Sequence, residues 1–256
     1  MKIIINFIHL FIIGLWYYSY NFLISISDFL LILRYFTKYI KLLIVKVLIF
    51  YEYIFLPPRW VIPLEIKKYK IPKPENYTYG ETPYITIFNI IKDLSERMDI
   101  KNYTFIDLGC GTGKTIFTVS IMFNMDSIGV ENIQTFINKS NKIKKILNSV
   151  TNINISFIKM DIQEFLDKEL EKLNTDKIIF FIASTAFEKQ FFEEIIEKIF
   201  KKTNQSFMIT ISKEIPKKLK ESLETQEKTI FKIFSKKYHY SWGKSSTHFY
   251  KIISKN

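Results

Sequence analysis

The chain has 256 residues, 48% of them apolar, and a formal charge of +12, enough for one good-sized domain plus an appendage. Its single cysteine, Cys110, excludes an internal disulfide and suits a reducing compartment, and with only three histidines a zinc site is excluded in practice. The positive excess is spread along the chain, as solvated helix faces give, and no nucleic-acid-binding module is recognisable, which argues against a nucleic-acid partner.

The first segment is apolar. Ile3 to Ser27 carries no Asp, Glu, Lys or Arg, about the length that crosses a bilayer as a helix, and Trp16, Tyr17, Tyr18 and Tyr20 suit an interface. Tyr39 to Leu56 contains Lys41, Lys46 and Glu52 and reads as an amphipathic surface helix, with a second span as the alternative. Arg34, Lys38, Lys41 and Lys46 follow the first stretch, and such basic flanks stay cytoplasmic. A cleaved signal peptide fits less well, because the apolar run is long and no small-residue cleavage site follows. The expectation is a membrane location, with lipid as a partner and the folded domain facing the cytoplasm. Pro57, Pro58, Pro63, Pro72 and Pro74 then mark a break. The predicted organisation is residues 1–58 as a helical membrane segment, 59–74 as a linker and 75–256 as the folded domain.

Beyond the break, strands and helices alternate. A helix is expected over Thr82–Arg97, and strands over Thr104–Asp107, Ser127–Glu131, Ile153–Lys159, Lys177–Ile182 and Ser206–Ile211, with helices between them. Phe187, Phe191, Ile195 and Ile199 recur every four residues and mark one of those helices. Two last strands, Ile230–Tyr240 and Thr247–Ile253, flank Ser241-Trp242-Gly243 as a hairpin. The pattern by itself gives the α/β class.

The first strand ends in Asp107-Leu-Gly-Cys-Gly-Thr-Gly113. Alternate glycines at a strand-to-helix turn let a ligand approach the backbone. The spacing is not the G-x-G-x-x-G of a dinucleotide site. Gly113-Lys114-Thr115 fits the end of a nucleotide-triphosphate loop, but the first glycine of that loop falls on Leu108. Asp107 repels a phosphate and attracts an ammonium, which favours S-adenosyl-L-methionine, a cofactor without phosphate. Glu131 ends the second strand, where a carboxylate can accept from ribose hydroxyls. Asp161 ends the third, placed for an adenine amino group, with Ile162 after it. Each acid has a plainer reading as a helix N-cap. Cys110 reads as small filler rather than a catalytic thiol, since no histidine lies near it in sequence.

With these motifs, residues 77–254 resemble the class I S-adenosylmethionine-dependent methyltransferases. Tyr79-Gly-Glu-Thr82 and Gly129-Val-Glu131 are similar to the cofactor-covering loop and second motif of the disruptor-of-telomeric-silencing type of protein-lysine methyltransferases. The resemblance implies a doubly wound, seven-stranded Rossmann-like sheet with one reversed edge strand. It implies that Tyr79, Glu81 and Thr82 close over a cofactor held by Asp107, Gly109, Cys110, Gly111, Thr112, Gly113, Glu131, Asp161 and Ile162. The Asn-rich turn of that subgroup is replaced by Ala183-Ser-Thr-Ala-Phe187. Ser184 or Thr185 is expected to orient the acceptor, with Phe187 and Tyr79 as walls; the alternative is that one hydroxyl caps the following helix. The expected reaction is methyl transfer to a protein lysine. A small or lipid-soluble acceptor is the alternative, and a nucleotide hydrolase or an inactive scaffold lies outside methyl transfer.

Overall fold

The computed structural model describes residues 21–30, 36–69, 80–149, 151, 153–173, 176–224 and 227–254. The order is α1 (residues 21–30), α2 (Phe36–Tyr53), α3 (Pro58–Tyr69), α4 (Tyr84–Ser95), β1 (Thr104–Leu108), α5 (Lys114–Phe123), β2 (Ser127–Glu131), α6 (Gln134–Asn148), β3 (Ile155–Lys159), α7 (Ile162–Lys168), β4 (Ile178–Ile182), α8 (Lys189–Lys202), β5 (Gln205–Ile211), α9 (Lys217–Leu223), β6 (Lys228–Tyr240) and β7 (Gly243–Ser254).

The strands form one seven-stranded sheet in the order β3-β2-β1-β4-β5-β7-β6. The first five run parallel, and β7 is antiparallel to both neighbours. The reversed strand is therefore not at the edge, as expected, but one position in. The second arm of the hairpin pairs with β5 and leaves β6 outermost. Strand β4, Ile-Ile-Phe-Phe-Ile, is buried along its whole length, as a central parallel strand covered on both faces must be. One apolar layer joins the sheet to α4, α5 and α6, and the other joins it to α7, α8 and α9. Crossovers of this kind turn the chain at the carboxyl ends of β1 to β4, and the order reverses between β1 and β4, where such sheets open a crevice.

The N-terminal expectations need correction. Among the described residues no helix is long and apolar enough to cross a membrane. Residues 3–20 of the expected span lie outside the described residues. The second stretch is α2, which carries Lys41 and Lys46 and buries Leu42, Val45, Ile49 and Tyr53 against the sheet domain rather than against lipid. The expected membrane location and its cytoplasmic orientation lose their basis with the span. Most of the expected linker is also regular. Pro58 opens α3, a position where its missing N–H costs nothing, and Val61 and Ile62 join the core.

This arm is fastened by side chains at helix ends. Neither α4 nor α6 has a capping side chain of its own. Asp28 of α1, 5% exposed, accepts from Ile85 N at 3.0 Å at the start of α4. Glu65 of α3 accepts from Gln134 N at 2.9 Å and Thr135 N at 2.7 Å at the start of α6. Glu52 pairs with Lys142 at 2.5 Å, and its carbonyl accepts from Lys139.

Candidate active site

A cavity of about 560 Å³ opens at the carboxyl ends of β1, β2, β3 and β4, within the usual range for a small-molecule site. Acids from three of those strand ends line it: Asp107, Glu131 and Asp161. The parallel registers of β1 with β2 and of β2 with β3 bring the three ends to one edge.

Asp107 is 2% exposed, and its Oδ1 is buried with no hydrogen-bond partner among the described residues. Burial pushes its carboxyl up to about 8, against a hydrogen bond from Thr115 and with a further push from Glu131. An orphaned carboxylate oxygen on a residue that lines a cavity is costly unless a ligand supplies a donor. Glu131 is held on both oxygens: Gly111 N donates to Oε2 at 2.9 Å and Ile133 N to Oε1 at 2.8 Å. Burial raises its carboxyl too. Asp161 accepts from Gln163 N at 2.8 Å and caps α7 while also lining the cavity, so the plain and the functional readings of this acid coexist.

The turn between β1 and α5 has positive φ at Gly109, Gly111 and Gly113. At Gly113 a Cβ would also lie 2.9 Å from the Phe157 ring, so glycine is required there both by conformation and by space. Gly109, Cys110, Gly111 and Thr112 face the cavity. Gly113 is not among the lining residues; it starts α5. Cys110 is buried, and a Cβ on Gly129 would sit 2.7 Å from its Sγ. Burial pushes the thiol well up, so it stays protonated and fills space.

Gly80, Glu81 and Thr82, just ahead of α4, line the cavity, while Tyr79 lies outside the described residues. The segment is tied to the β6–β7 turn. Glu81 N donates to Ser241 Oγ at 2.9 Å, and Ser241 N donates to Glu81 O at 3.1 Å. Gly80 rests on Trp242, where a Cβ would meet the indole at 2.6 Å. Glu81 pairs with Lys114 at 2.6 Å inside the same cavity.

At the β4 end the two expected hydroxyls separate. Thr185 lines the cavity and shares a hydrogen bond with Ser212 at 3.0 Å. Ser184 is fully buried, donates to Ile211 O at 2.7 Å and is not among the lining residues; it ties β4 to β5 instead of facing an acceptor. Phe187 lines the cavity together with Phe191, the rings edge to face at 5.0 Å. Glu194, one turn further along α8, also lines it and accepts from Gln163 and Gln190, each at 3.0 Å. Ile162 lines the same side.

Sequence reasoning passed over Lys114 as a cavity residue, although it directly follows the glycine turn. It also passed over Glu194, over Phe191, whose periodicity marked only a helix face, and over Ile62, which no local signal joins to the glycine turn that starts at Gly109. Trp242, in the turn between the two last strands, stacks on Tyr240 and lines the cavity at once.

Residues 99–254 match the model of a protein family described as a methyltransferase domain. No curated protein matches the chain. Among solved structures it is similar to magnesium protoporphyrin IX methyltransferase (ChlM) from Synechocystis PCC 6803. The form with bound SAM is 10% identical over 76% of this chain and 97% of that one, with a TM-score of 0.48. The form with bound SAH is 10% identical over 67% and 83%, also at 0.48. It is similar too to Pyrococcus horikoshii TYW2 in complex with MeSAdo, at 12% identity over 63% and 60% with a TM-score of 0.42.

Proposed function

The chain belongs to the methyltransferase-domain family, as a class I S-adenosylmethionine-dependent enzyme, and from that premise we propose that it transfers the methyl group to the side-chain amine of a protein lysine. The cofactor is S-adenosyl-L-methionine, and the residues present fit it. Asp107 offers a buried oxygen in need of a donor, which the methionine ammonium supplies. The ion pair Lys114–Glu81 complements a group carrying both an anion and a cation, Lys114 facing the methionine carboxylate. Glu131 accepts from the ribose hydroxyls, and Asp161 and Ile162 border the adenine. A polyphosphate does not fit a cavity ringed by Asp107, Glu131, Asp161, Glu81 and Glu194 with Lys114 as the single cation among its described lining residues, which removes the hydrolase reading.

When bound, the cofactor supplies a methyl group already activated by its sulfonium. What remains for the protein is positioning, desolvation and charge. The observation that carries the amine reading is in the cavity lining: Glu194, one turn along α8 from Phe191 of the edge-to-face pair with Phe187, and Trp242 of the β6–β7 turn all line it. An acid with aromatic rings attracts an ammonium on approach, and the apolar walls then favour its neutral, nucleophilic form. Thr185 is the hydroxyl available to orient that nitrogen. A second reading has its own support. Ile62, Phe136, Met160 and Phe181 also line the cavity, and such walls suit a small apolar acceptor.

The test is incubation of the full chain with methyl-labelled cofactor and fractionated extract, followed by mass spectrometry. Label on a lysine side chain supports the proposal. Label that partitions into the organic phase transfers support to the small acceptor, and label confined to RNA sinks both.

A further inference from the structure

Glu65 does not touch the cavity, yet it is 7% exposed and spends both carboxylate oxygens on one helix end. A buried acid with two short contacts to a single turn needs a reason beyond solubility. The first turn of a helix presents N–H groups with no partner within the helix, and the helix dipole makes that end positive. In α6 these donors begin two residues after Glu131. Ile133 N is taken by Glu131 itself at 2.8 Å, and the next two, Gln134 N and Thr135 N, are taken by Glu65 at 2.9 and 2.7 Å. The residue at the α6 N-cap position is Ile133, whose side chain can accept nothing.

Glu131 is the carboxylate nearest in sequence to these donors. Its second oxygen holds Gly111 N in the glycine turn at 2.9 Å. With Gln134 N and Thr135 N left open, that oxygen would be drawn off the glycine turn and onto the helix end, away from the cavity. We infer that Glu65 is a positioning residue: it occupies the end of α6 so that Glu131 stays bridged between the glycine turn and α6, presented to the ribose of the cofactor. The arm that bears Glu65 is thereby part of the cofactor site. Ile62, one turn earlier on α3, reaches the cavity wall directly, and Glu52 fastens the end of α2 to Lys142 of the same helix α6.

The inference rests on Glu131 accepting from the ribose, so the experiment separates the two. Titration calorimetry on the full chain compares S-adenosylhomocysteine with its 2′-deoxyribose analogue, for the wild type, Glu65→Ala and Glu65→Gln. Loss of a hydrogen bond to a charged acceptor weakens the wild type by about tenfold or more. In Glu65→Ala that preference is expected to fall to about twofold, with Glu65→Gln between, since an amide offers α6 one acceptor in place of two. A purely structural cap would weaken both ligands alike and leave the ratio at its wild-type value; that result in the variants overturns the inference while the ribose reading stands. Equal binding of both ligands by the wild type overturns the ribose reading and the inference with it, and binding of neither overturns the cofactor assignment. Far-ultraviolet circular dichroism establishes that each variant is folded, and Glu65→Gln carries the test if Glu65→Ala is not.

Discussion

The helical arm of residues 21–30 and 36–69 and the sheet that begins with β1 are both rich in apolar side chains, but they use them differently. In the sheet, strands such as β4 are covered on both faces, so nearly all their apolar surface is inside. In the arm, α2 buries one stripe, Leu42, Val45, Ile49 and Tyr53, while Val47, Phe50 and Tyr51 remain exposed. All of the exposed large hydrophobics among the described residues except Ile146 lie in the arm. The lesson is that apolar density alone does not say whether a segment crosses lipid or clamps a neighbouring domain. The residues that decide are the buried acids Asp28 and Glu65, which serve as caps for α4 and α6.

The comparison breaks first at the docked stripe. Leu42 is fully buried beside Tyr84 and Met122, so Leu42→Ala is expected to cost about 2–5 kcal/mol in a denaturant titration. Phe50→Ser, at a position of the same helix that is 67% exposed, is expected to stay within about 0.5 kcal/mol. Equal small effects would mean that the arm is not bound to the domain.

On the sheet side the largest effect belongs to Asp107. Asp107→Ala is expected to weaken S-adenosylmethionine binding by at least about tenfold, since it removes a charged hydrogen-bonding partner; unchanged affinity by calorimetry would remove Asp107 from the site. A pH dependence sharpens the same point. In the free protein this carboxyl sits at about 8, against an ordinary 3.8. Between those values the folded chain keeps a proton that the unfolded chain has lost, so this group's contribution to stability falls as pH rises from about 4 to about 8. An ammonium beside it favours the ionised form, so cofactor binding at pH 7 is expected to release a proton. The binding enthalpy should then vary with the ionisation enthalpy of the buffer, and Asp107→Asn should abolish that variation.

Next comes the cavity-lining flap of Gly80, Glu81 and Thr82. Gly80→Ala places a methyl group 2.6 Å from the Trp242 ring and should push Glu81 off its partners. Cofactor affinity is expected to drop by about tenfold, the worth of one or two such bonds, with partial recovery in Gly80→Ala/Trp242→Ala. No recovery would point to the glycine itself rather than the indole. The smallest effect is at Lys114. Lys114→Gln is expected to weaken S-adenosylmethionine by about fivefold, in the range of a partly screened ion pair, and to leave 5′-methylthioadenosine, which lacks the methionine carboxylate, unchanged. Equal losses for both would assign Lys114 to holding the flap alone.

Much of the sheet was legible because its signals are local. Short apolar runs ending in Asp107, Glu131 and Asp161, with glycines after the first, state the strands, the turn and the edge where they meet, and one period-four repeat states α8. The hairpin was legible as two strands, but the insertion of β7 between β5 and β6 depends on pairing with a distant strand. Ser184 and Thr185 are adjacent in the chain and equal in chemistry; only the packing of β4 against β5 sends one to Ile211 and the other to the cavity. From the chain alone one class of cofactor was favoured, because charge and backbone freedom at one turn, with acids ending the next two strands, act within a few residues, and the acid-ringed cavity then removed the nucleotide alternative. Tertiary structure alone decided that Glu65 and Ile62 belong with that turn, because capping a helix end from another helix is a contact between segments that no periodicity records.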